Sequence, residues 1–160
     1  MSNILKSIIN ISKLQSYNLK DLYSGGNTIN NVGEALEYFI KSAFANTLES
    51  KGDHFEVFNN IFSHQGEQNH PPDIILRGGD AIEVKKVSTF GSSIPLNSSY
   101  PKNKLYSDDP KITENCKNCE SPNQWISKDL FYAIGVVRSQ EIKHLSFVLG
   151  DCYAAEKKGL

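Results

Sequence analysis

Cysteine is scarce in this chain, and long apolar runs are missing. The three cysteines, Cys116, Cys119 and Cys152, are an odd number, which fits reduced thiols better than a disulfide framework. No segment approaches the roughly 20 apolar residues that a membrane-spanning helix needs, and the N-terminus lacks the pattern of a signal peptide. These absences predict a cytoplasmic protein with no membrane partner.

An excess of charge of either sign is also missing. The formal net charge is −1, which argues mildly against a generic nucleic-acid binder. The distribution of charge carries more information, because residues 85–107 contain four lysines and no Asp or Glu. This segment predicts a local basic surface, formed by Lys85, Lys86, Lys102 and Lys104.

The length and composition are those of one globular domain. The chain has 160 residues, of which 39% are hydrophobic and 22% are charged, so we expect a single domain over residues 1–160. Residues 154–158 open like a helix but stop after one turn, which is too short to be stable by itself. We therefore expect a C-terminally truncated form of a longer protein.

The stretch from residue 71 to residue 86 has the pattern of a β-hairpin. It reads PPDIILRGGDAIEVKK, with two short apolar runs at 74–76 and 81–84. The pair Gly78-Gly79 between them is a turn signal. The hairpin carries two acids and a lysine, namely Asp73, Glu83 and Lys85.

The length of the hairpin loop decides which of these side chains share a face. With a two-residue loop, Asp73 would point away from Glu83, because side chains alternate along a strand. A three-residue loop over residues 78–80 pairs Asp73 with Lys85 and pairs Ile75 with Glu83. The opposite face then collects the apolar side chains of Ile74, Leu76, Ile82 and Val84. We predict this second register because it separates charged from apolar side chains.

Hydrophobic spacing predicts the remaining elements. Apolar residues at helical spacing indicate helices at 3–16 and at about 31–48. Aromatic and branched residues at 55–62 indicate a strand, and the apolar runs 128–137 and 144–153 indicate two buried strands. The pattern predicts an α/β fold with a mixed central β-sheet flanked by helices.

The second helix carries a candidate site residue. With Leu36 at the centre of the buried face, Glu37 lies about 100° away at the border, whereas Glu34 lies about 160° away towards water. Glu37 can therefore reach a site at the edge of the core, although an ordinary boundary residue would have the same position. Glu34 and Lys41 have the pattern of solvated surface.

Residues 88–119 form a long polar segment that is rich in turn formers. Such segments are often functional. Asn, Ser and Lys side chains contact phosphates and base edges, so this segment is a candidate DNA-contact region, although a solvated loop has the same composition. The candidate DNA-binding residues are Asn97, Ser98, Ser99, Lys102 and Lys104.

The pair Cys116 and Cys119 has the C-x-x-C spacing of half a zinc site. A closed structural site needs four N or S ligands, and the sequence offers no second paired motif. The count of ligands therefore disfavours zinc.

The charged residues of the hairpin have the chemistry of metal-assisted hydrolysis. Asp73, Glu83 and the carbonyl of Val84 are hard oxygen ligands of the kind that Mg²⁺ prefers. Lys85 would orient or help deprotonate an attacking water, and Glu37 would hold a second metal ion or its water. The alternative is a charged surface with an exposed ion pair that contributes under ~1 kcal/mol. The residues alone leave both interpretations open.

Two motifs resemble a known nuclease superfamily. Pro72-Asp73 followed by Glu83-Val84-Lys85 resembles the PD-(D/E)xK signature, in which the acids bind Mg²⁺ and the lysine assists hydrolysis. Gly33 with Glu37 resembles the helix that often supplies an additional acid in that superfamily.

Longer segments resemble the neisserial GGCC-cutting type II restriction endonucleases. The similarity spans residues 31–153, and residues 94–110 are more specific than the catalytic signature. The resemblance implies a restriction-endonuclease-like core and a Mg²⁺-dependent homodimer that cuts double-stranded DNA within a short palindrome. It also implies a restriction-modification system, in which a cognate methyltransferase acts on the same site.

Two alternatives from other functional classes stay open. A repair or recombination nuclease of the same superfamily would cut without short-site specificity. A truncated, non-catalytic remnant would bind DNA without cutting it.

Overall fold

A computed structural model describes residues 2–22, 32–66, 69–94 and 101–154 of the chain. Its ordered elements are α1 Ile4–Ser12, α2 Leu19–Leu22, α3 Val32–Ala45, α4 Phe55–Ile61, β1 Phe62–His64, β2 Ile74–Leu76, β3 Ala81–Val87, β4 Lys104–Tyr106, α5 Glu114–Lys117, β5 Ser127–Arg138 and β6 Glu141–Leu149. A short 3-10 helix, Gly150–Cys152, follows β6. None of the described helices is long and apolar enough to cross a membrane.

The strands form one six-stranded mixed sheet, which confirms the predicted α/β class. Its order is β1-β2-β3-β5-β4, and β6 also pairs with β5. Strands β3 and β5 are parallel, whereas the β2–β3, β4–β5 and β5–β6 pairs are antiparallel. The long strand β5 therefore pairs with the hairpin strand β3 and also with β4 and β6.

Helix α3 packs on one face of this sheet. Its apolar residues are buried as the sequence predicts, and Leu36, Phe39 and Ile40 are fully buried. Gly135 on β5 permits the close approach, because a Cβ there would lie 2.7 Å from Cδ2 of Leu36. The same core takes one face of the hairpin, through Ile74, Leu76, Ile82 and Val84.

A second, smaller core covers the other face of the sheet. It joins Ile75 and Ala81 of the hairpin to Leu105, Ile112 and Cys116. The described part of the polar segment 88–119 therefore contains β4, a strand of this sheet, and α5, whose Cys116 packs in this second core. Burial of these apolar side chains holds β4 and α5 in place.

Two predictions of element bounds differ from the structure. Helix α1 ends at Ser12 and not at residue 16, and Lys13 is its C-cap. Strands β5 and β6 reach Arg138 and Glu141, so only Ser139 and Gln140, with φ of +52° and +65°, lie between them, whereas the predicted strands ended at 137 and resumed at 144. Residues 155–158 of the helical turn predicted at 154–158 lie outside the described residues.

The strand predicted at residues 55–62 is wrong, because residues Phe55–Ile61 form helix α4. The Asp53 carboxylate, one residue before the N-cap His54, accepts a hydrogen bond from the Phe55 N–H at 2.9 Å and so forms a turn that leads into the helix. Phe58 and Phe62 are four residues apart and pack edge to face with ring centroids 5.7 Å apart. This turn and this aromatic pair outweigh the strand propensity of the aromatic residues.

Candidate active site

The hairpin has an odd loop, as predicted, but its register differs. Strands β2 and β3 pair Ile74 with Ile82 and Ile75 with Ala81, so the three loop residues are 77–79 and not 78–80. The observed pairing is offset by two residues from the predicted pairing. Because side chains alternate along a strand, an even offset leaves every side chain on its predicted face. Continuing this register puts Asp73 opposite Glu83, whereas Lys85 was the predicted partner.

Asp73 lies at the start of β2 with its carboxylate turned towards β3. Its Oδ2 accepts a hydrogen bond of 2.6 Å from the Val84 N–H. Burial raises the pKa of Asp73 well above its usual value, and repulsion by Glu83 and Glu37 raises it further. The Val84 N–H and Lys85 lower this pKa without reversing the shift. The three acids therefore form one electrostatic group.

Glu83 and Lys85 form an ion pair inside the protein. Oε1 of Glu83 lies 2.7 Å from Nζ of Lys85, and the two residues are 4% and 7% exposed. They are two residues apart on β3, so they share a face of the sheet. Because both groups are buried, this pair differs from the exposed hairpin ion pair that was the alternative interpretation.

The donor set fits a cation that keeps part of its water shell. No group of three or more His, Cys, Asp or Glu within the described ranges is arranged to hold a metal ion by itself. Oε2 of Glu83 is nevertheless buried and has no hydrogen-bond partner among the described residues. A buried carboxylate oxygen without a donor, close to a second acid, has the chemistry that Mg²⁺ and its waters would satisfy.

Glu37 lies on α3 beside this group, but its nearest described partner is a lysine. Nζ of Lys41 lies 2.7 Å from Oε1 of Glu37, and the Lys41 side chain is 14% exposed. The prediction that Lys41 is solvated surface is therefore wrong. The Glu37–Lys41 spacing of four residues is the signature of an ion pair on a helix, and this signal was available in the sequence.

The prediction of a local basic surface over residues 85–107 is wrong at Lys102 and Lys104, because both lysines pair with acids. Lys102 is buried and pairs with Asp109 at 3.3 Å. Lys104 forms an ion pair with Asp129 and lies 3.8 Å from Asp151. These acids come from outside residues 85–107, so a local count of charges misses them. The other candidate DNA contacts, Asn97, Ser98 and Ser99, lie outside the described residues.

Comparison with known proteins assigns the chain to a family. A family model described as NgoPII restriction endonuclease matches residues 2–159. This chain belongs to the NgoPII restriction endonuclease family. It is 37% identical over 156 residues to the type II restriction enzyme NgoPII of Neisseria gonorrhoeae. The aligned residues cover 96% of this chain and 55% of that relative. The chain thus spans about half the length of the curated relative. No solved structure matches it.

In this NgoPII-family chain, the C-x-x-C segment supports the hairpin loop. Oε1 of Glu120, next to Cys119, accepts hydrogen bonds from the Gly78 N–H at 2.9 Å and from Lys128 Nζ at 3.0 Å. Lys128 also donates to the Gly79 carbonyl at 2.9 Å. The segment therefore fixes the turn of the hairpin, a role that the sequence does not predict.

Proposed function

We propose that this chain carries the catalytic core of a type II restriction endonuclease that hydrolyses phosphodiester bonds of double-stranded DNA at a specific short site. The observation that carries the proposal is the buried group of Asp73, Glu83 and Lys85 in a member of the NgoPII family. The relative's name supplies the class of activity, and the site supplies residues able to perform it.

Type II restriction endonucleases generally use divalent metal ions, and we propose Mg²⁺ for this site. Asp73 and Glu83, with the Val84 carbonyl, would hold the ion, and Glu37 would be the auxiliary acid. A bound Mg²⁺ would polarise the phosphate and lower the pKa of a coordinated water. Glu37 would have to exchange its ion pair with Lys41 to take part.

The protein groups would prepare the reaction by position and charge. The ion pair with Glu83 fixes Lys85 Nζ, so this ammonium group can orient the attacking water and offset negative charge on the phosphate. The Val84 N–H fixes the carboxylate of Asp73. Attack by water would leave 5′-phosphate and 3′-hydroxyl ends.

The substrate and assembly belong to the same proposal. We expect a homodimer on a short palindrome, GGCC by resemblance, because two symmetric subunits match two symmetric half-sites. Asn97, Ser98 and Ser99 are the proposed DNA contacts. Lys104 is partly exposed on the described surface, so it would contact DNA directly. Lys102 is buried in its ion pair with Asp109, so it would contribute only through that ion pair. A cognate methyltransferase would protect the same site.

A plasmid digest with mapped ends tests this proposal. We expect discrete bands from unmethylated plasmid with Mg²⁺, and a loss of rate of at least about 100-fold in Lys85→Ala, because the positioned charge is removed. Lys86→Ala is the matched control, since its side chain points to the opposite face of β3 and should leave cleavage near the wild-type rate.

Three other outcomes of the digest would contradict the proposal. A smear in place of bands would indicate a superfamily nuclease without short-site specificity. Cleavage by Lys85→Ala at the wild-type rate, or no cleavage by the wild type, would contradict the assigned mechanism or the activity itself.

A further inference from the structure

Tyr132 on β5 lies directly across the parallel strand pair from Glu83. The two residues are Cα partners in the β3–β5 register, and paired residues share a face of the sheet. Tyr132 is 2% exposed, so its ring is buried beside the catalytic acids. The sequence does not predict this pairing, because the β3–β5 register has no local signal in it.

The phenol hydroxyl of Tyr132 forms two hydrogen bonds with the backbone of Lys102. The Lys102 N–H donates to Oη of Tyr132 at 2.7 Å, and Oη donates to the Lys102 carbonyl at 3.2 Å. The Tyr153 ring packs against Tyr132 with centroids 4.8 Å apart. One hydroxyl therefore satisfies both backbone groups of a residue that belongs to another segment.

Neighbouring contacts hold the same segment. Asn103 Nδ2 donates to Asp151 at 3.1 Å, and the Lys102 side chain pairs with Asp109 at 3.3 Å. Lys104, a proposed DNA contact two residues after Lys102, pairs with Asp129 on β5, the strand that carries Tyr132. Whatever fixes the Lys102 backbone therefore also restricts where Lys104 lies relative to Glu83.

We propose that Tyr132 is a positioning residue that holds residues 102–104, and with them the proposed DNA contact Lys104, at a fixed distance from the catalytic acids. It does so through its two hydrogen bonds to the Lys102 backbone. The inference rests on the proposed function, because it assigns Tyr132 a part in binding the DNA substrate.

The substitution Tyr132→Phe removes the hydroxyl and keeps the ring. We expect an about tenfold rise in KM for a duplex carrying the site, with kcat little changed. The reason is that residues 102–104 lose the hydrogen bonds that position them, while the catalytic acids stay in place. The Lys102 amide should also lose its protection against hydrogen exchange. Tyr153→Phe is the matched control, since it removes a neighbouring phenol hydroxyl and should leave KM unchanged.

A double-mutant cycle with Lys104→Ala separates positioning from packing. If Tyr132 acts through this segment, the two effects on KM will be less than additive. A lower kcat with unchanged KM in Tyr132→Phe, or a Lys102 amide that stays protected, would overturn the inference while wild-type cleavage upholds the proposed function. A wild type that neither binds nor cleaves the duplex would overturn the proposed function and, with it, the role in binding.

Discussion

At the scale of single residues, the Asp73 carboxylate is held where its charge is disfavoured. Burial and the neighbouring Glu83 and Glu37 raise its pKa in the folded chain above the ordinary 3.8. A raised pKa contributes stability that is fully present below the ordinary value and is lost as pH rises through the folded-state value. At neutral pH, which is above the ordinary pKa, the buried Asp73 therefore destabilises the fold, which is the cost expected at the proposed metal site.

The substitution Asp73→Asn should make the metal-free chain more stable at pH 7. The amide oxygen can still accept the Val84 N–H, while repulsion with Glu83 is removed. We expect a Tm at least about 2 °C above wild type. The difference should shrink as the pH falls and wild-type Asp73 becomes protonated. Thermal unfolding at several pH values measures both effects.

Added Mg²⁺ provides the complementary test of the same residue. It should raise the Tm of the wild type by mass action and have less effect on Asp73→Asn. Glu49→Gln, at an exposed carboxylate, is the control and should respond to Mg²⁺ like wild type. An equal response of wild type and Asp73→Asn would show that Asp73 does not hold the ion.

At the scale of elements, the contact between residues 102–103, just before β4, and the 3-10 helix depends on one glycine. A Cβ at Gly150 would lie 2.2 Å from the Asn103 carbonyl oxygen and 2.7 Å from that of Lys102. These are backbone atoms, so the segment itself would have to move. Gly150→Ala should lower the free energy of unfolding by about 1–3 kcal/mol.

Urea unfolding with a fitted midpoint measures this loss. Cys152→Ala, in the same 3-10 helix but exposed, should change stability by no more than about 0.5 kcal/mol. A Gly150→Ala variant as stable as Cys152→Ala would show that the two backbones do not approach in this way.

The same scale shows which elements a sequence can predict. The buried face of α3 follows from 3.6-residue periodicity, and the two faces of the hairpin follow from the parity of its loop. The pairing within the hairpin was wrong by two residues, because parity cannot distinguish registers that differ by an even step. The prediction of a strand in place of helix α4 was wrong. Its aromatic residues favour strands, but the hydrogen bond from the Phe55 N–H to Asp53 and the Phe58–Phe62 pair favour the helix.

At the scale of the whole molecule, the site depends on contacts between distant segments. Asp73, Glu83 and Lys85 were predictable because one hairpin carries them all. Tyr132 and the partners of Lys102 and Lys104 were not, because the register of β5 against β3 and the approach of Asp109 and Asp129 are set by tertiary packing. Sequence therefore predicts which charged side chains of the hairpin share a face better than it predicts the surface that would meet DNA.

Assembly can be tested with mixed subunits. If two subunits each cut one strand, a dimer of wild type and Lys85→Ala should cut a single strand, because only one of its two sites is active. Co-purified mixed dimers should therefore convert supercoiled plasmid to nicked circles, whereas wild type should produce linear DNA. Linear product from mixed dimers at the wild-type rate would show that one subunit cuts both strands, and would contradict the symmetric arrangement.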